Sequence, residues 1–377
     1  MNTPLQRACA LIFIAAILPS CGRFGFSDDA VQALPISDED ALVGCNSALV
    51  ADPAGTGYAV VWHEYPAPGG DEHSLMFGHL YVNEVMDGLP MVVDRLSSEP
   101  NAMWLFARAN GYTVFYQRSD DLYVDQLDAT GQLQTSEYLG EHPETPVVVQ
   151  TDAGFGVFFE VDHELYFTRL DAQGVEAAPA VLVPITPNID GYPVLEHPSV
   201  VHTATGYHVV YEHSWGSGLG YAHVDEDGGI ISEAVFDFGG HRYPQIATDE
   251  DGRMAVTWFE GEQLIEYGMD ENGNALWGGV RQLVPMNRQE SLTRDMSGGP
   301  GSVAMVWESD VDDLLPQIKF RYFGLDSVEP AGAETISNTR FGFDCPHIAA
   351  GDGHFGIAFR GQVEGSQQLY VRVRHDR

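Results

Sequence analysis

Seven short apolar segments, each ending in an aromatic residue, recur along the chain. They are YAVVW (58–62), YTVFY (112–116), FGVFF (155–159), YHVVY (207–211), MAVTW (254–258), VAMVW (303–307) and FGIAF (355–359). Runs of this length that are rich in β-branched and aromatic residues are typical of β-strands. Their terminal aromatic residues are 43 to 54 positions apart, so the pattern predicts a repeat of one β unit.

The residues around each aromatic segment also follow a pattern. A short apolar run precedes it, often opened by proline as in PSVVH (198–202) and PQIAT (244–248), and a Gly/Asp-rich turn joins the two. A third apolar run follows, and a fourth comes after an Asp/Asn-Gly turn. In two units the fourth run contains LVPI (182–185) or LVPM (283–286), and proline favours a sheet edge. Four antiparallel strands per repeat predict an all-β fold, a seven-bladed β-propeller.

One strand-like segment stands ahead of the first repeat. VQALPIS (31–37) is similar to the fourth runs, whereas the last repeat stops at its third run near the end of the chain. We therefore predict that 31–37 pairs with QQLYVRV (367–373) as the closing strand of blade 7. This pairing would join both chain ends in one sheet and leave no incomplete blade edge. The propeller would then span residues 31–377.

Two cysteines occupy equivalent positions in the first and last repeats. CNSALVAD (45–52) and CPHIAAGD (345–352) align at the start of the innermost strand. These repeats are neighbours only in a closed ring, so the alignment predicts a disulfide between Cys45 and Cys345. Closing a loop of this length would stabilise the fold by roughly 5 kcal/mol. The alternative is two unpaired, buried cysteines.

The first 30 residues predict export rather than folded structure. Arg7 precedes an apolar run from Ala8 to Leu18 that is too short to span a bilayer. LPSC (18–21) resembles a bacterial lipobox, which implies a signal peptide over 1–20, a lipid on Cys21 and a linker over 21–30. The alternative is an ordinary secretory signal. We expect a protein of the bacterial cell envelope, anchored to a membrane by lipid, on the periplasmic or surface side of the outer membrane.

The charge balance is strongly acidic. The chain has 55 Asp and Glu against 18 Lys and Arg, a formal net charge of −37. A nucleic-acid partner is unexpected, because binding phosphates requires a basic surface. The acid is spread along the chain, which suits solubility or a cationic partner. We expect a monomer.

A column of polar residues directly follows the seven aromatic ends, and Phe259 is its exception. Strand order places this column on one rim of the ring, near four histidines at the starts of the innermost strands. A polar ligand or divalent cation could bind where these groups converge, because carboxylates and imidazoles both coordinate metals. The alternative is that strands entering solvent simply end in polar residues. The polar column is His63, Gln117, Glu160, Glu212, Glu308 and Arg360, and the histidines are His142, His197, His241 and His347.

No intact catalytic motif accompanies the repeat. Bacterial sialidases carry S-x-D-x-G-x-x-W boxes, and TDEDGRMAVTW (248–258) has the acid, glycine and tryptophan at other offsets. Glu160, Glu212 and Glu308 could imitate the paired acids of glycosidases, but they repeat at one column. Acidic turns such as VDEDGG (224–229) have only the beginning of a calcium-loop spacing and predict hairpins.

The chain resembles bacterial propeller lipoproteins in general over 31–377, without matching a named catalytic family. That resemblance implies anchoring and binding. We expect a non-catalytic envelope propeller whose top-rim loops bind a protein or glycan, with no cofactor apart from the candidate divalent cation. The alternative function is a glycan hydrolase or lyase on the same scaffold.

Overall fold

The computed structural model describes the following residues. They are 34–37, 42–65, 72–141, 144–186, 195–213, 218–236, 241–260, 263–276, 281–285, 294–309, 316–325, 332–337, 342–363 and 366–375. The regular elements in these ranges are 28 β-strands, which form seven antiparallel sheets of four strands each. The predicted all-β, seven-bladed propeller is therefore confirmed. The signal peptide, Cys21 and the linker lie outside the described residues and stay predictions.

The strands follow one another in chain order. They are β1 (Leu34–Pro35), β2 (Val43–Ala51), β3 (Gly57–Glu64), β4 (His73–Tyr81), β5 (Met91–Leu96), β6 (Ala102–Arg108), β7 (Gly111–Arg118), β8 (Asp121–Asp128), β9 (Leu133–Glu141), β10 (Glu144–Thr151), β11 (Gly154–Val161), β12 (Glu164–Asp171), β13 (Glu176–Leu182), β14 (Leu195–Thr203), β15 (Gly206–His213), β16 (Gly218–Val224), β17 (Ile230–Phe236), β18 (His241–Thr248), β19 (Met254–Glu260), β20 (Gln263–Met269), β21 (Arg281–Pro285), β22 (Arg294–Gly299), β23 (Ser302–Ser309), β24 (Gln317–Gly324), β25 (Glu334–Thr335), β26 (Gly342–Gly351), β27 (His354–Val363) and β28 (Ser366–His375).

Each blade uses consecutive strands, from the innermost to the outermost. Blade 1 is β2–β5, and the next five blades follow in the same way up to blade 6, which is β22–β25. Blade 7 has the order β26–β27–β28–β1, so its outermost strand comes from the front of the chain. Innermost strands begin, and second strands end, at one rim of the ring, which we call the top rim.

The second strand of each blade is almost entirely buried, which explains its continuous apolar run. The seven terminal aromatic residues, from Trp62 to Phe359, are at most 6% exposed. In the described residues, seven apolar clusters are found, one at each junction of neighbouring blades. The cluster between blades 7 and 1 unites Val371 with Val60 and Trp62. Burial of apolar surface between blades therefore closes the ring.

The segment at the front of the chain lies beside the last strand. Leu34 is opposite Val371 and Pro35 is opposite Tyr370 in an antiparallel pair. The backbone N–H of Ile36 donates to the Leu369 carbonyl at 2.8 Å. Residues 31–33 of the predicted closing strand lie outside the described residues. The proline is tolerated here because β1 is an edge strand with one pairing side.

A disulfide links the first and last blades. Cys45 and Cys345 are bonded, with their Cα atoms 5.3 Å apart and 300 positions between them in the sequence. The predicted pairing is confirmed. It joins the innermost strands β2 and β26 near the top rim, at the same junction that β1 closes on the outside.

The acidic turns of the opposite rim are hairpins stabilised by their own aspartates. In the turn 224–229, the Asp225 Oδ1 atom accepts the backbone N–H of Asp227 at 2.9 Å and of Gly229 at 2.7 Å. Gly228 supplies the left-handed backbone with φ of 86°. Because that carboxylate is used to fix its own turn, the hairpin interpretation accounts for the motif.

Candidate functional site at the channel mouth

A cavity of 520 Å³ lies at the top rim, where the innermost strands of blades 2 to 6 begin. This volume is within the range of small-molecule binding pockets. The described polar residues that line it are Asn101, Gln117, His197, Ser199, Tyr243, Gln245 and Arg294. Prolines at the strand starts supply much of the remaining wall. The site is therefore built from equivalent positions of successive repeats.

Backbone bulges direct two aromatic rings toward this cavity. The pairing register of β14 shifts between Glu196 and Ser199, and that of β18 shifts at the equivalent place. His197 and Tyr243, which precede the prolines, have φ of 53° and 52°. This left-handed conformation is unfavourable for such residues, and bulges of this kind re-aim a side chain. The two rings lie edge to face, with centroids 4.4 Å apart.

Blade 6 departs from this pattern. Its innermost strand has no proline at this point, and Arg294 pairs directly opposite Trp307. A cation thus occupies the place where blades 4 and 5 have Pro198 and Pro244, next to His197 and Tyr243. The Arg294 side chain is buried, with 7% of its surface exposed, and it lines the cavity.

Two residues of blade 5 hold the Arg294 guanidinium in place. Its Nε–H donates to Gln245 Oε1 at 3.1 Å, and Gln245 Nε2–H donates to the Arg294 carbonyl at 2.8 Å. The guanidinium carbon lies 4.2 Å from the centroid of the Phe259 ring, a cation–π contact. Phe259 is the exception in the polar column, and the structure explains it as the platform for this cation.

The outer nitrogens of Arg294 are buried without an acceptor. Neither Nη1 nor Nη2 has a hydrogen-bond partner within the part of the chain that the structure describes. Burial lowers the pKa of Arg294 to about 9, so the group is still protonated at neutral pH. A buried charge without a partner costs several kcal/mol. The arrangement is therefore suited to an anionic acceptor that enters the cavity.

The structure separates the six residues of the predicted polar column. Gln117 lines the cavity, whereas Glu160 and Glu212 are buried, do not line it and contact histidines. Glu160 Oε1 lies 3.1 Å from His163 Nδ1, and Glu212 Oε2 lies 3.5 Å from His197 Nδ1. Glu308 is half-buried opposite Ile318 and does not line the cavity.

His63 and Arg360 belong to a second group at the junction of blades 7 and 1. Arg360 donates two hydrogen bonds to Asp344, at 2.8 and 2.6 Å. His63 Nε2 lies 2.7 Å from His73 Nδ1, and its Nδ1 lies 3.9 Å from Glu99 Oε1. Burial lowers the pKa of His63 to about 4, so the imidazole is neutral at pH 7. The Arg360 pair links two strands of blade 7, and the His63 contacts lie in blade 1 and its connection to blade 2, so these polar groups are used within the protein.

The other predicted histidines are placed apart from one another. His347 Nδ1 lies 3.6 Å from Asp295 Oδ2. His142 lies outside the described residues, as does the side chain of His241. Among the described residues, the group close enough to hold a metal is Cys45, Asp344 and Cys345, but the two sulfurs are bonded to each other. The divalent-cation site stays a prediction.

Comparisons with known proteins indicate the fold alone. No protein-family model matches the chain, and no curated protein matches it in sequence. The Dos1 propeller is similar, with a TM-score of 0.53, 8% identity and coverage of 90% of this chain and 94% of that chain. A protein of unknown function from Dyadobacter fermentans DSM 18053 has a TM-score of 0.50, 10% identity and coverage of 92% and 99%. The β-propeller domain of Cps50 (Swd1) from Myceliophteria thermophila has a TM-score of 0.50, 10% identity and coverage of 89% and 100%.

Sequence reasoning missed Arg294 although two signals mark it. The repeat predicts a proline at the start of the innermost strand, and blade 6 has arginine where it pairs with the aromatic column. The polar column is interrupted at Phe259, one blade earlier. Neither departure has a meaning alone, and only the fold reveals that the two residues are in contact.

In the described residues, no helix is long and apolar enough to cross a membrane.

Proposed function

We propose that the protein is a non-catalytic, lipid-anchored propeller of the bacterial cell envelope that binds a glycan or protein partner at the top rim. The observation that carries this proposal is the 520 Å³ cavity at the channel mouth. The cavity combines prolines, the His197 and Tyr243 rings and several polar groups on a rigid sheet framework, which is typical of a preformed binding site.

The lining of the cavity favours binding over hydrolysis. Glycoside hydrolysis requires two carboxyl groups that flank the scissile bond, roughly 5 to 10 Å apart. No aspartate or glutamate is present among the described residues that line the cavity. The lining instead offers amides, an imidazole, a phenol and a guanidinium, which can recognise a ligand. The hydrolase half of the alternative, a glycan hydrolase or lyase, therefore has less support, and the lyase half is tested by the release of unsaturated ends below.

The direction of β1 suits an anchor on Cys21. β1 runs antiparallel to β28 and therefore begins at the rim opposite the cavity. Only about ten residues separate Cys21 from the segment 31–37, a reach of at most roughly 35 Å. A lipid on Cys21 would hold the bottom rim against the membrane and direct the cavity outward.

A site-specific crosslinking experiment tests the binding face. We expect a photo-crosslinker at Gln117, on the top rim, to capture the partner on intact cells. The same group at Asp152, in an exposed turn of the opposite rim, should capture little. Equal capture at both positions would contradict the proposal.

Two further measurements test the anchor and the absence of catalysis. Metabolic labelling with palmitate should mark the wild type and not Cys21→Ser. Incubation of the purified protein with envelope polysaccharides should release no reducing or unsaturated ends. Release of either kind would favour the hydrolase or lyase.

A further inference from the structure

We propose that the channel-mouth cavity binds the carboxylate of an acidic sugar, and that Arg294 is the residue that receives it. This inference rests on the proposed function, because it names the ligand class for the same cavity. It depends on one observation, the buried guanidinium whose two outer nitrogens have no acceptor among the described residues.

The geometry of Arg294 matches a carboxylate. A guanidinium presents parallel N–H groups that can donate to both oxygens of one carboxylate, and such bidentate pairs are strong and directional. The Phe259 ring and Gln245 Oε1 fix the plane of the group and use its Nε. Nη1 and Nη2 are buried without an acceptor among the described residues, so they are the donors that a bound carboxylate would satisfy. Since the side chain is already ordered, little entropy is lost on binding.

The charges around the cavity favour a single carboxylate over a phosphate or a polyanion. Among the described residues that line the cavity, Arg294 alone carries a permanent charge. Its neighbour Asp295 accepts the backbone N–H of Ile348 at 3.0 Å and thus faces blade 7. Glu212 contacts His197 but does not line the cavity. One guanidinium balances one negative charge, whereas a chain of net charge −37 repels a polyanion.

The remaining lining favours a sugar over a peptide as the carrier of the carboxylate. The rings of Tyr243 and His197 offer apolar faces and polar tips, which suit the two kinds of surface on a sugar ring. Gln117 and Asn101 add amide donors and acceptors for hydroxyl groups. A volume of 520 Å³ accommodates a sugar unit together with ordered water.

Calorimetric titration of the purified mature protein, from Cys21 to Arg377, tests the proposal. The probes are D-glucuronate, D-glucose and N-acetyl-aspartate, the last presenting carboxylates on a peptide-like body. We expect glucuronate to bind at least about tenfold more tightly than either other probe. We expect Arg294→Met to weaken glucuronate binding at least about tenfold, and Arg294→Lys to retain part of the affinity because it keeps the charge without the fork.

Arg118→Met is the matched control. Arg118 is another arginine over an aromatic ring near the top rim, half-buried where Arg294 is buried, with its guanidinium carbon 4.5 Å from the Tyr123 centroid, but it does not line the cavity. Its variant should bind glucuronate as the wild type does. Each variant is checked by denaturant unfolding for a cooperative transition, so that a loss of binding cannot be a loss of fold.

Several outcomes would overturn the inference. They are equal affinity for glucose and glucuronate, tighter binding of N-acetyl-aspartate, or full glucuronate binding by Arg294→Met. If any one of these outcomes occurs while crosslinking at Gln117 still captures a partner, the proposed ligand class is wrong and the proposed function stands. If glucuronate binds as expected but nothing is captured at Gln117 on cells, the proposed binding function fails instead.

Discussion

Two regions of the ring depart from the repeat, and they differ in how an arginine charge is compensated. In blade 7, the half-buried Arg360 makes two hydrogen bonds to Asp344 on the neighbouring strand. At the junction of blades 5 and 6, Arg294 leaves two nitrogens without an acceptor among the described residues. The first arrangement has its charges compensated within the protein, and we propose that an anionic ligand completes the second.

The difference separates a structural departure from a functional one. The cysteines and β1 connect the two ends of the chain, and the Arg360–Asp344 pair links two adjacent strands of the last blade, so each contributes to the stability of the closed ring. Phe259 and Arg294 add no such connection. A buried, uncompensated cation destabilises the free protein, and sequences retain such features mainly where a ligand uses them.

Loss of the disulfide should lower the free energy of unfolding more than any other change at the junction of blades 7 and 1. We expect Cys45→Ser with Cys345→Ser to lower the free energy of unfolding by roughly 5 kcal/mol, because the bond closes a very long loop in the unfolded chain. Denaturant unfolding of the double variant and the wild type measures this. A loss below about 1 kcal/mol would show that the junction does not depend on the bond.

Acid should weaken the same junction next. The pKa of His63 is lowered by burial to about 4, below its usual 6.5. Its stabilising contribution is therefore complete above pH 6.5 and is lost as the pH falls through 4, by up to about 3 kcal/mol. We expect His63→Gln to remove this part of the pH dependence of unfolding. An identical pH profile in the variant and the wild type would contradict the assignment.

Removal of one partner of the compensated pair should have a smaller effect. We expect Asp344→Asn to lower the free energy of unfolding by about 1–2 kcal/mol, because Arg360 loses its bidentate acceptor in a half-buried setting. Denaturant unfolding at neutral pH provides the measurement. An unchanged stability would remove the contrast with Arg294.

The smallest expected effect concerns the aromatic platform. Phe259→Leu removes the ring beneath Arg294, and cation–π contacts contribute about 0.5–1 kcal/mol. We expect glucuronate affinity to fall about two- to fivefold in calorimetric titration, whereas Phe259→Tyr keeps a ring and should retain binding. Equal affinities of the leucine and tyrosine variants would show that the ring does not orient the guanidinium.

The repeat made the fold predictable, because every blade restates the same local pattern. The aromatic column, the turns and the cysteine positions are all local sequence patterns that recur at the same place in a blade. The structure places each of them where the repeat predicts. The pairing of Cys45 with Cys345 followed from one assumption, that the ring is closed. The lipid anchor at Cys21 stays a prediction.

The site was less predictable because it depends on differences between repeats. The polar column indicates the correct rim. Of its six residues, all of which the structure describes, Gln117 is the one that lines the cavity. Arg360 is used in contacts within blade 7, and His63 in contacts within blade 1 and its connection to blade 2. Arg294 and Phe259 are 35 positions apart in the sequence, and their contact appears only when blades 5 and 6 are placed side by side.

The stability of Arg294→Met in the absence of ligand tests the central claim most directly. If Arg294 is a cation kept without a partner for a ligand, its replacement by an apolar side chain should leave the free energy of unfolding unchanged or raise it by about 1 kcal/mol or more. Asp344→Asn, measured alongside, should lower it. A loss of more than about 1 kcal/mol in Arg294→Met would contradict the account, because it would show that the guanidinium is compensated within the protein.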